Sequence, residues 1–354
     1  MGRCSLLAAW VAVAFSLCVP AHASGWNIQS LLGQGTGDYG PTSLVLDSNN
    51  KPHIAWSGSL NAGPRYIHRD GSSWVVETVD TSGYCNEDSL ALDSAGNPHV
   101  AYHNDNNGLK YGYWNGSSWI SQTVDKGYGA LVLDGTDRPH LFYAEFEGAV
   151  MHAYWSGSSW VKEIVEGGTA RRYIRAARDS AGNPYACYTT STGIEIAYWN
   201  GSSLTTEALP FWGDFKALTI DRWDRPHLCF RDGGYQLYYS YRTPEGWATP
   251  ELVDPFGGDY SSIAVDADGV PHITHEGYVD GLCVRYTKRT SAGWVESKIE
   301  PGSYTALALD DTGSPVVTYA WDGLKYATIP EPSSLLALIG GLGSLGGMLL
   351  RRRK

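Results

Sequence analysis

Ser89-Leu90-Ala91-Leu92-Asp93-Ser94-Ala95-Gly96-Asn97-Pro98-His99-Val100-Ala101-Tyr102 is two short apolar runs hinged on an Asp-x-x-Gly turn. After a loop come Leu109-Lys110-Tyr111-Gly112-Tyr113-Trp114, Asn115-Gly116-Ser117-Ser118, and Trp119 through Val124-Asp125. Aromatic and β-branched runs separated by Gly, Asn, Asp and Ser read as four short strands joined by tight turns. The marker aspartate recurs at Asp47, Asp93, Asp134, Asp179, Asp221, Asp266 and Asp310, at spacings of 46, 41, 45, 42, 45 and 44. A four-stranded unit of this period is a propeller blade, and packing such units in a ring buries faces that one small sheet leaves open. The expected fold is all-β: a seven-bladed β-propeller of four-stranded blades.

Closure of the ring is legible too. The seventh unit, from about Tyr304, ends at Leu324-Lys325-Tyr326-Ala327, one strand short. Gly25-Trp26-Asn27-Ile28-Gln29-Ser30-Leu31 matches the fourth-strand pattern at Ser73-Trp74 and Ser118-Trp119, so the N-terminal strand is expected to complete blade seven. Asn115-Gly116-Ser117-Ser118-Trp119 and Asp70-Gly71-Ser72-Ser73-Trp74 look like degenerate Asp-box turns without the full S-x-D-x-G-x-T-W form. The repeat resembles the broad group of Asp-box and NHL-like propellers of secreted bacterial proteins. That resemblance speaks to fold, not activity.

Both ends read as addresses. Met1–Ala23 has Arg3, an apolar stretch from Leu6 to Val19, and Ala21-His22-Ala23 before Ser24: a secretory signal with an A-x-A cleavage site. At the other end, Pro330-Glu331-Pro332 precedes an apolar run from Leu335 to Leu350 and then Arg351-Arg352-Arg353-Lys354. The basic cluster should stay in the cytoplasm, with the main body outside. This three-part order closely resembles the PEP-CTERM sorting signal of Gram-negative bacteria. The resemblance implies processing by an exosortase-type enzyme, transient membrane anchoring by the C-terminal segment, and a place at the cell surface or in the matrix, often with exopolysaccharide. The expected division is signal 1–23, propeller 24–328 and sorting signal 329–354.

The formal net charge is −11, but the two ends hold five basic residues and one acid. Without them the body has 21 basic against 36 acidic residues, a balance of −15. Phosphate backbones would be repelled, so no nucleic-acid partner is expected.

Most of the conspicuous side chains belong to the repeat. Pro-His follows the first turn at His53, His99, His140, His227 and His272, with Tyr185 and Val316 in the other two blades. Packed sheets lie about 10 Å apart, too far for equivalent histidines to share one ion. Local bonding to the Asp turn is expected, with no metal. Trp26, Trp74, Trp119, Trp160, Trp247 and Trp294 read as packing between blades, with Leu204 in blade four. Export permits disulfides, but Cys187 and Cys229 fall at matching positions of adjacent blades, too far apart to join.

One set departs from that reading. Tyr128, Tyr173, Phe215, Tyr260 and Tyr304 stand six residues before a marker aspartate. They either rim one mouth of the central channel or plug it. Entry loops add Arg171, Arg172, Trp212 and Asp214. The B–C loops should open on the same face and bring Glu145, Glu147, Arg231, Asp232, Glu276, Asp280 and Asp322. Aromatics among carboxylates and a few arginines suit a carbohydrate, such as an exopolysaccharide or matrix glycan. Three readings follow: a surface binding or scaffold module, a glycan hydrolase or lyase using paired loop carboxylates such as Glu145, Glu147, Asp232 and Glu276, and a purely structural surface protein. Nucleophile elbows, phosphate loops and dinucleotide fingerprints are not evident, so no cofactor and no catalytic residue is expected.

Overall fold

The structure is a computed structural model that describes residues 25–33, 40–58, 63–81, 85–105, 108–145, 148–168 and 173–329. The signal segment, Arg171, Arg172, Glu147 and the sorting residues Pro330, Glu331, Pro332, Arg351, Arg352 and Arg353 lie outside them. The described chain is all-β, with seven antiparallel sheets of four strands in a ring, a seven-bladed propeller. Within a blade, A is the innermost strand and D the outermost.

Blade seven is made of Ser303–Leu309, Pro315–Ala320 and Leu324–Thr328, closed by Asn27–Leu32 from the opposite end of the chain. The closing strand runs from Asn27 opposite Thr328 to Leu32 opposite Leu324.

Each strand carries the residue types its position requires. All seven B strands begin with proline, at Pro52, Pro98, Pro139, Pro184, Pro226, Pro271 and Pro315, the one strand position where a missing N–H breaks little of the ladder. Strand B is then buried along its length in blades two, three, six and seven. The D strands alternate exposed polar positions with half-buried ones, as in Trp119–Asp125. In blade five Pro250 divides strand D into Gly246–Trp247 and Glu251–Asp254, both paired with strand C.

The core is divided among the blade interfaces. Seven apolar clusters each join two adjacent blades; one sets Leu109 and Tyr111 of blade two against Leu131, Leu141 and Tyr143 of blade three. The D-strand tryptophans seal the outer edge. Trp74, Trp119, Trp160, Trp294 and Trp26 stand edge-on against Tyr326, Tyr66, Tyr111, Tyr239 and Tyr286 of the preceding blade, with ring centres 5.0–5.4 Å apart. Such pairs add about 0.5–1.5 kcal/mol beyond the area they bury. Several indoles also donate to the preceding D strand: Trp119 to Glu77 at 2.7 Å, and Trp74 to Gln29 and Trp26 to Ser297 at 3.2 Å. Cys85, Cys187, Cys229 and Cys283 are buried, and burial pushes the thiols of Cys187 and Cys229 up.

Candidate functional site

The channel has two ends built on different rules. The A–B turns form one. In each turn the marker aspartate Oδ1 accepts backbone N–H bonds: Asp93 from Ala95 and Asn97, Asp221 from Trp223 and Arg225, Asp266 from Asp268 and Val270. The position three residues on has a left-handed backbone in all seven blades. It is glycine in four and Asn50, Asp137 or Asp224 in the others, the residue types that tolerate that region. Those three side chains reach the preceding blade. Asp137 accepts from the Ser94 N–H at 2.9 Å, Asp224 from the Ser180 N–H at 2.7 Å, and Asn50 from the Asp311 N–H at 3.1 Å.

The histidines bond inside their own blades, as the repeat implies. The tyrosine hydroxyl of strand C meets Nδ1 at 2.5 Å for His99 and 2.6 Å for His227 and His272. Nε2 faces the marker aspartate, at 3.0 Å from Asp221 for His227 and 3.3 Å from Asp266 for His272. Blade three replaces the tyrosine: His140 meets His152 at 2.8 Å, and His152 meets Glu163 at 2.8 Å. Burial lowers the affinity of these imidazoles for a proton, to a pKa of about 4 for His140 and His272. A cavity of about 570 Å³ opens at this end between blades one and four, edged by Asp47, Asn49, Asp93, Ser94 and Arg178. Asp47 and Asp93 are already bonded in their own turns, and Arg178 donates to two carbonyls. Little recognition chemistry is left over there.

The D–A and B–C loops form the other end, where the repeat breaks down. The loop after blade five is laced to strand B of blade six: Gly258 N–H to the Glu276 carbonyl at 2.8 Å, Glu276 N–H to the Asp259 carbonyl at 3.0 Å, and Tyr278 N–H to the Phe256 carbonyl at 3.2 Å. This brings Asp259 beside Glu276. The Tyr278 hydroxyl stands 3.1 Å from Asp259 Oδ2 and 3.1 Å from Glu276 Oε2. Lys216 Nζ is 3.1 Å from Asp259 Oδ1, and Arg231 bonds the other oxygen. Arg231 also lies 4.0 Å from Asp214 and stacks 4.6 Å over the Tyr235 ring. Lys216 sits 4.5 Å over Tyr173. Ser303 donates to Glu276. Blades five and six thus share one ionic floor, which Tyr173 of blade four and Ser303 of blade seven adjoin.

The two carboxylates differ in setting. Glu276 is buried, and burial raises its pKa above the usual carboxylate range. Asp259 is braced by two cations. Burial lowers the Lys216 pKa, with Asp259 opposing that shift. Around this floor Tyr235 is 62%, Phe256 61%, Trp212 53% and Tyr278 45% exposed, a concentration of wet aromatic surface that a packed core does not need. Tyr235, Tyr260 and Tyr304 all have left-handed backbones, at φ 64°, 46° and 55°. Such strain in bulky residues gathers at functional sites.

The expected rim is only partly assembled. Tyr173, Tyr260, Tyr304 and Trp212 belong to this mouth; the Tyr260 and Tyr304 rings are 4.1 Å apart. The Tyr128 ring lies tilted against His103, with ring centres 4.0 Å apart. Phe215 is a correction: it is fully buried in the core between blades four and five. The A–B pairing of blade five is irregular between Phe215 and Ala217, and this shift gives the core Phe215 and the mouth Lys216. Lys216, Asp259, Tyr235 and Tyr278 were not singled out from sequence. An aromatic beside an acid in a non-repeating loop was the available signal.

Asp254, His275 and Glu296 place ligand atoms within 4.8 Å of one another. Arg285 already bonds Glu296 and the Val279 carbonyl, and His275 Nδ1 lies 3.1 Å from the Glu276 carbonyl. His275 Nδ1 also lies 3.6 Å from Asp254 Oδ2.

No protein-family model and no curated protein matches this chain. Solved structures do. A catalytically inactive virginiamycin B lyase from Staphylococcus aureus with quinupristin is 12% identical, with a TM-score of 0.63 over 86% of this chain and 100% of that one. AofleA from Arthrobotrys oligospora is 14% identical, with a TM-score of 0.55 over 78% and 90%. An Aleuria aurantia lectin variant in complex with alpha-methyl-L-fucoside is 14% identical, with a TM-score of 0.54 over 77% and 97%. At these identities the likeness establishes the propeller architecture this chain shares with them.

Proposed function

We propose that this chain is an exported propeller that binds glycan at the mouth formed by blades four to seven. The observation that carries the reading is the set of exposed aromatics, Trp212, Tyr235 and Tyr278, around the floor of Lys216, Arg231, Asp259 and Glu276. Aromatic faces stack on the apolar faces of sugar rings, and fixed polar groups around them meet hydroxyls. A lectin propeller in complex with alpha-methyl-L-fucoside among the similar structures is compatible with this. The N-terminal signal and the PEP-CTERM-like tail support delivery to the cell surface or matrix with exosortase processing. Substituting Pro330, Glu331 and Pro332 together should leave the protein unprocessed in the membrane fraction; unchanged release would remove the sorting part of the reading.

A second reading is hydrolysis or lysis of the glycan, favoured by one observation: Asp259 and Glu276, in opposed settings, share the Tyr278 hydroxyl. Carboxylate pairs of this kind divide acid and base roles in glycosidases. Incubating the purified protein with a panel of bacterial polysaccharides, scoring retention and released product together, decides between them. Retention without product supports a lectin-like module. Product supports the enzyme. Neither outcome with a folded protein leaves only a structural or protein-binding role.

A further inference from the structure

We infer that this mouth selects neutral, hydroxyl-rich glycans and rejects those bearing uronate or sulfate groups. The inference rests on the glycan-binding reading and names the class of ligand.

The argument begins with the two cations a negatively charged sugar would seek. Both are already committed. Lys216 is buried and held by Asp259 Oδ1 at 3.1 Å, while Arg231 bonds Asp259 Oδ2 and faces Asp214 at 4.0 Å. A sugar carboxylate that bound them would compete with Asp259. Displacing Asp259 would part it from Lys216, whose side chain is buried, and breaking such a pair is costly. Among the described residues of the floor, Asp214 and Asp259 face Lys216 and Arg231, and Glu276 adds a third acid through Tyr278. The body as a whole is acidic as well, with 36 acidic against 21 basic residues.

A neutral sugar meets the opposite situation. Its hydroxyls can donate to carboxylate lone pairs of Asp259 and Glu276 and accept from the Tyr278 hydroxyl. Tyr278 has one proton for two carboxylate oxygens, each at 3.1 Å, and Arg231 already donates to the Asp259 oxygen, so Glu276 Oε2 is the acceptor left for a sugar hydroxyl when Tyr278 turns to Asp259. Tyr235 and Tyr278, exposed beside these groups, offer faces for the ring. The floor accepts hydrogen bonds and repels anions.

The test compares two polymers of one backbone: polygalacturonate and the neutral polymer made from it by carboxyl reduction. Binding of the full purified protein is measured at physiological and at high salt. The neutral form is expected to bind at least roughly tenfold more tightly, because like-charge juxtaposition in an interface is strongly disfavoured, and added salt should narrow the gap. Glu276→Gln should narrow it as well, by removing an acid while keeping the shape. Equal or tighter binding of polygalacturonate overturns the inference and leaves the glycan reading intact. If neither polymer of this pair binds but a charged polysaccharide from the wider panel does, the inference also falls alone. Failure of every polysaccharide, with folding intact, overturns both. Unchanged discrimination in a folded Glu276→Gln protein removes Glu276 from the mechanism.

Discussion

The two ends of the channel are made by the same seven blades and obey different rules. At the A–B end the same turn is set seven times, with an aspartate folding its own backbone and, in five blades, a histidine behind it. At the other end, among the described residues, the B–C and D–A loops differ from blade to blade, and one connected polar and aromatic cluster lies on blades four to seven. Repetition marks the parts that build the ring. Departure from repetition marks the parts free to recognise something else.

If that contrast holds, disturbing the ring should cost stability and leave the mouth's chemistry unaltered, and the reverse should hold for the mouth. The largest effect is expected from Trp26→Ala. It removes a buried indole that seals blade seven against Tyr286 of blade six, and should lower unfolding free energy by about 3–5 kcal/mol in urea titrations. A loss under 1 kcal/mol would mean that the closing strand is not holding the ring.

Next comes acid. His140 and His272 are buried and have pKa values of about 4, below the unfolded value of about 6.5. Between these values the unfolded chain binds more protons, so stability should fall as pH drops from 6.5 toward 4, by up to roughly 3 kcal/mol for each histidine. The turn aspartates Asp134 and Asp266 have depressed values, so their contribution is lost below the ordinary carboxylate range, in the same direction. Urea midpoints measured at successive pH values would show the first fall. A flat profile from pH 7 to pH 4 would contradict neutral buried histidines.

Asp224→Gly keeps the left-handed backbone comfortable and removes only the bonds to Ser180 of blade four. A loss of about 1 kcal/mol is expected, since the site is exposed. Smallest in stability, within about 0.5 kcal/mol, should be Tyr278→Phe and Tyr235→Ala, both on exposed side chains. These two should weaken glycan retention severalfold. If they unfold the protein instead, the two ends are not separable and the contrast fails.

The ring was legible because it is written seven times. The spacing of the marker aspartates gave the blade count, and the unpaired Trp26 pattern gave the closure. The mouth was legible only in part. Tyr173, Tyr260, Tyr304 and Trp212 could be reached by counting back from the repeat. Phe215 could not, because the pairing irregularity ahead of Ala217 changes which neighbour faces the channel. Asp259 stands seven residues before its marker, as Asp214 does in blade five, but its meeting with Tyr278 depends on backbone bonds between residues 256–259 and 276–278 that no spacing reveals.

Closure by the N-terminal strand also decides how the ring carries mechanical load. The chain leaves the propeller after Leu324–Thr328, which is an inner strand flanked by Pro315–Ala320 on one side and Asn27–Leu32 on the other. A pull applied beyond residue 329, as a surface tether would exert, does not peel an edge strand away. It loads two hydrogen-bonded ladders together, and one of them belongs to the opposite end of the chain. Among the described strands, the first in the chain is thus the one that braces the last against tension.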